Sequence, residues 1–99
     1  MDITILFCAL RYAVASDPAA LVYVIDYIRD NIDDEVMSAT VLRDIVRILD
    51  EFSLSGKEYT SYRKCVHRLK IDIMFKNQEP LDKVQKEINK FIEEEGNEK

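Results

Sequence analysis

Only two glycines and two prolines occur in 99 residues, and that scarcity constrains the fold more than any other feature of the chain. An all-β sandwich or barrel needs a turn signal every ~8–12 residues, supplied mostly by Gly, Pro, Asn and Asp. Here Pro18, Gly56, Pro80 and Gly96 punctuate long stretches, and helical periodicity runs through nearly all of them. With 47% hydrophobic residues the chain has enough apolar matter for a core, which excludes disorder of the whole. The expectation is an all-α fold, a compact bundle of four to five helices at about 2–15, 18–31, 39–53, 58–75 and 80–94. These would form a single helical domain over residues 1–95, with 96–99 as a frayed tail.

In the first helix Ile3, Leu6, Phe7, Leu10 and Val14 recur at helical spacing, and Ile5, Cys8, Ala9, Tyr12 and Ala13 fill much of the remaining circumference. A helix apolar nearly all round belongs at the centre, covered by its neighbours. Arg11, its only positive charge, would then pair with Asp26, Asp30 or Asp44. Asp17-Pro18 is a strong start signal, a capping carboxylate followed by the imino acid that suits the first helical position. The spacing Leu21–Ile25–Ile28–Ile32 decides for helix over strand in the β-branched run that follows. Asp33-Asp34-Glu35 reads as a polar break. Ser38 is the N-cap of a third helix with Val41, Leu42, Ile45, Val46, Leu49 and Phe52 on one face, and Gly56 is its left-handed stop. In the fourth, Tyr59, Tyr62, Cys65, Val66, Leu69 and Ile73 share a face opposite Arg63, Lys64, His67 and Arg68. Pro80 opens the last helix, whose seam is Leu81, Val84, Ile88, Phe91 and Ile92.

Charge is distributed unevenly. Residues 1–56 carry four Arg and no Lys against ten acids, a net of −6; residues 57–76 are at +4 and residues 77–99 at −3. An overall charge of −5 opposes general binding to polyanions. The first ten residues look like a signal peptide with Ala13-Val14-Ala15 as its cleavage site. However, Asp2 stands where a cation is needed and Arg11 ends the apolar run, which is far short of the ~20 residues that cross a bilayer. Two cysteines make no disulfide framework and fit a reducing cytoplasm.

Site chemistry is sparse. Cys8, Cys65 and His67 are the one conceivable metal set, with no paired Cys or His spacing, so neither metal nor cofactor is expected. Cys65 or Ser61 as nucleophile, His67 as base and Asp72 as orienting acid do not fall together on one helix. A phosphate-cradling loop needs more glycines than the chain has. The chain therefore reads as a non-enzyme. Two surfaces remain. Asp26, Asp30, Asp33 and Asp34 form an acidic ridge at the end of the second helix, suited to a protein partner. Arg63, Lys64, His67 and Arg68 form the alternative, a nucleic-acid-binding face on which Arg63, Lys64 and Arg68 would point to solvent together.

The segments Phe7-Cys8-Ala9-Leu10-Arg11-Tyr12-Ala13, Val24-Ile25-Asp26-Tyr27-Ile28 and Leu42-Arg43-Asp44-Ile45 together resemble a group of small uncharacterised α-helical proteins encoded by bacteriophages. The resemblance spans residues 5–48. It departs at Ala15-Ser16-Asp17-Pro18, where the group usually has a glycine and a basic residue. It implies an accessory protein in the host bacterial cytoplasm that binds and inhibits or redirects a host or defence protein. A defence nuclease such as a CRISPR effector is the most concrete target, which makes an anti-CRISPR-type inhibitor one form of the expectation. Neither membrane nor nucleic acid is expected as a partner, and self-association is left open.

Overall fold

Side chains that accept from unpaired backbone N–H groups fix where helices begin, and the first half of the chain has three. In the computed structural model, which describes residues 2–97, Asp2 Oδ1 accepts from Thr4 at 2.9 Å and Ile5 at 3.4 Å. This cap starts α1, Ile3–Ser16. Asp17 Oδ1 accepts from the Ala20 N–H at 3.1 Å, and α2 follows as Pro18–Asp30. Ser38 Oγ accepts from the Val41 N–H at 3.2 Å and starts α3, Ala39–Leu49. A 3-10 turn at Lys57–Tyr59 leads into α4, Thr60–Lys76, and α5 covers Leu81–Asn97. Among the described residues there is no strand. The fold is all-α. Its contacts cluster into two compact units, residues 1–52 and residues 53–99.

In the first unit α1 packs on both α2 and α3. Leu6, Leu10, Ala13 and Val14 of α1 are buried, with Leu21, Ile25 and Ile28 of α2 and Leu42, Ile45, Ile48 and Leu49 of α3. So α1 has the middle place in the packing, yet it is not enclosed as its composition suggested. Ile5 and Tyr12 are 66% and 62% exposed, and Cys8 and Ala9 are exposed between them. Two neighbours cover one side of a cylinder and leave the other open. Arg11 lies on that open side and forms no ion pair among the described residues, contrary to the expected pairing with Asp26, Asp30 or Asp44. Asp44 instead faces Arg47 at 3.1 Å, one turn along α3.

The third helix also stops sooner than its apolar spacing suggested. It ends at Leu49, and the N–H groups of Glu51 and Phe52 bond to the Ile48 and Leu49 carbonyls in tightened turns. Gly56 is therefore not its stop. With φ at +106°, a conformation only glycine adopts readily, it redirects the chain into the 3-10 turn.

In the second unit α4 and α5 pack side by side and run antiparallel, since Arg63 meets Glu94 while Lys70 meets Glu87. Val66, Leu69, Ile73, Met74 and Val84 are buried, and so are the polar Thr60, Lys70 and Glu87. The last helix extends beyond the expected end near residue 94 and takes in residues 96 and 97 of the expected tail. Cations on α4 hold Glu94 and Glu95 just before them. Residues 98 and 99 of the expected tail lie outside the described residues.

Candidate functional site

The open side of α1 carries Ile5, Cys8, Ala9 and Tyr12, spaced so that they form one stripe along the helix. Tyr23, Asp26, Tyr27 and Asp30 form the corresponding stripe on α2, and all eight are exposed. Tyr23 is 77% exposed, the extreme for a large apolar side chain here together with Leu81. Between the stripes runs a groove of about 320 Å³ walled by Ile5, Leu6 and Ala9 of α1 and by Tyr23, Val24 and Tyr27 of α2, with Asp2 beside them. The groove is thus apolar along its walls, with Asp2 the one acid among its lining and Asp26 and Asp30 exposed on the helix that carries its tyrosines. A soluble domain normally shows few large exposed apolar side chains side by side, and such patches mark interaction sites. Tyrosine suits this role, because it offers a rigid apolar ring with a hydrogen-bonding tip.

The acidic ridge read from the sequence divides between two jobs. Asp26 and Asp30 stand beside the two tyrosines on α2. Asp34 Oδ1 accepts from the Val36 N–H at 3.1 Å, and the Asp34 carbonyl accepts from Met37 N–H at 2.9 Å. That carboxylate shapes the turn into α3. Asp33 is exposed but already engaged. Exposed tyrosines interleaved with acids were visible in the spacing 23, 26, 27, 30. Their significance was not, because a stripe on α2 becomes a groove only once the open side of α1 lies next to it.

The basic face fares differently. Arg63 Nε donates to Glu94 Oε1 at 2.9 Å, and its other nitrogens donate to the Leu54 and Gly56 carbonyls and to Thr60 Oγ1. Lys64 Nζ lies 3.1 Å from Glu95 and over the Phe91 ring at 5.5 Å. His67 Nδ1 is 2.6 Å from Glu87 Oε2, and Lys70 Nζ is 3.1 Å from Glu87 Oε1. Arg63, Lys64 and Arg68 therefore do not point to solvent together: Arg63 and Lys64 turn onto α5, and only Arg68 is exposed. The reason is that α5 offers acids at Glu87, Glu94 and Glu95 in register with them. Tyr62 is half-buried, and Val66 and Leu69 point inward as expected.

Glu87, 4% exposed, is the residue the sequence reading missed. Burial works to raise its carboxyl, but hydrogen bonds from His67 and Lys70 and the charges of both outweigh that, and the net shift is downward. The i, i+4, i+7 spacing of Arg63, His67 and Lys70 facing Glu87 and Glu94 was the available signal. Beside Arg63 there is also a polar hollow of about 510 Å³ bounded by Gly56, Lys57, Thr60, Gly96 and Asn97, where the guanidinium is already engaged. Among the described residues no cluster of His, Cys, Asp or Glu could hold a metal ion, and no helix is long and apolar enough to cross a membrane. Comparisons with family models, curated proteins and solved structures gave no match.

Proposed function

We propose that the chain is a non-catalytic binding protein that works by occupying a surface of another protein through the open face of α1 and α2. The observation that carries this is the pair of exposed stripes flanking an apolar groove, with Tyr12, Tyr23 and Tyr27 as ready anchors. Large exposed aromatics at the middle of a contact commonly supply most of its energy. In the form suggested by the resemblance to phage-encoded proteins, the partner is a bacterial host or defence protein, including a defence nuclease, and binding inhibits or redirects it. The nucleic-acid reading is weaker, because Arg63 and Lys64 are drawn into ion pairs with α5 and His67 is hydrogen-bonded to Glu87.

The test is co-purification from defended bacterial cells with the wild-type chain and a Tyr23→Ser/Tyr27→Ser variant of unchanged helix content. A protein retained by the wild type and lost with the variant is expected, together with improved phage growth on defended hosts. If nothing is retained in that selective way and phage growth is indifferent to the chain, the reading fails.

A further inference from the structure

We propose that the groove between α1 and α2 receives a cationic amphipathic helix from the partner, apolar on one side and flanked by Lys or Arg. This inference rests on the protein-binding reading and adds the chemistry of what is bound.

Charge argues for the cation. Tyr27 and Asp2 wall the same groove, so the start of α1 lies beside the end of α2. Asp2 and Asp30, with Asp26 a turn earlier, therefore gather toward one end, and all three are exposed. Arg11 is the single basic residue of α1 and sits toward the helix's other end. The whole segment 1–56 has no lysine and a net charge of −6. A second copy presenting the same face would set like charge against like, and an anionic lipid surface would be repelled in the same way.

Geometry argues for a helix. Both walls are α-helices whose backbone groups are already bonded, so the groove has no free sheet edge to which an extended strand could add. A segment entering an apolar groove must bring its own satisfied backbone, and only a helix does so over several residues. Apolar side chains at i, i+3 or i+4, and i+7 would fill the groove. The basic residues then belong at the end nearest Asp2 and Asp30.

The experiment uses the full chain and three synthetic peptides of about five helical turns. One is an amphipathic Leu/Lys helix, one has the same composition scrambled, and one replaces Lys by Glu. Binding is followed by anisotropy of the labelled peptide. The Leu/Lys helix should bind at least about tenfold more tightly than either control. Tyr23→Ser/Tyr27→Ser and Asp26→Asn/Asp30→Asn should each weaken it by about tenfold, with helix content intact. Raising salt from about 50 to about 300 mM should weaken the wild type more than the Asn variant.

Equal binding of the scrambled or Glu peptide, or indifference to both variant pairs, overturns the proposal. So does wild-type dimerisation in sedimentation equilibrium that the Tyr variant abolishes, since the occupant is then a second copy. Uptake on phosphatidylglycerol vesicles that the Tyr variant abolishes overturns it in favour of lipid. A cellular partner captured through this face with no Leu/Lys binding defeats the cationic helix and leaves the protein-binding reading standing. Leu/Lys binding without any cellular partner does the reverse.

Discussion

Leu10 and Ile5 are both apolar, both in α1, and have opposite fates: Leu10 is wholly buried while Ile5 is 66% exposed. Replacement tests the difference. Leu10→Asp places an unpaired carboxylate where no water reaches and should cost several kcal/mol, enough to abolish cooperative unfolding of the first unit. Tyr12→Ser on the open side should change stability by no more than about 0.5 kcal/mol. Urea unfolding followed by circular dichroism measures both. A Leu10→Asp variant that still melts cooperatively would mean that α1 is dispensable to the core. At this scale, legibility followed range. Asp17 and Ser38 were readable as caps because each bonds three residues ahead. The partner of Arg63 was not readable, because the carboxylate it meets, Glu94, lies 31 residues away.

Among elements, the α4–α5 pair shows what an apolar pattern leaves out. Val66, Leu69 and Ile73 were placed inward correctly, but Lys70 is also buried, against Glu87. A hydrophobic wheel counts such residues as solvent-facing, and only the partner helix reveals otherwise. The pair has a pH signature. Glu87 is held below its ordinary value of 4.5, so the unfolded chain takes up its proton first as pH falls. Its contribution is complete above the ordinary value and is lost as the pH drops through the lowered native one. Wild-type stability should therefore decline on acidification below about pH 5. Glu87→Gln should be less stable at neutral pH by roughly 3 kcal/mol, because it removes the buried carboxylate that Lys70 and His67 both face. Its stability should also depend less on pH over that range. Thermal melts across a pH series check both statements, and parallel curves for the two proteins would count against the cluster. For α2 the corresponding change is Asp17→Ala, expected to cost about 1 kcal/mol by removing its cap, read from the urea midpoint.

For the molecule as a whole, the sequence made the helical class, the approximate number of helices and their capped starts legible. It did not show that contacts cluster into residues 1–52 and 53–99, because clustering depends on which helix pairs form. Nor did it show how differently the two units treat their charges. The +4 segment 57–76 meets acids of α5 inside the second unit, whereas the first unit leaves Asp26 and Asp30 in water. The candidate site emerged from that contrast. One further consequence follows from the joint at Asp17, which ends α1 through its N–H to the Ala13 carbonyl and begins α2 with its side chain. A single residue spans the two helices and is bonded to both, so the chain between the walls of the groove has little slack. The face is preorganised: a partner docking there loses its own freedom but need not freeze that of its host, and affinity otherwise consumed in ordering the receptor is kept.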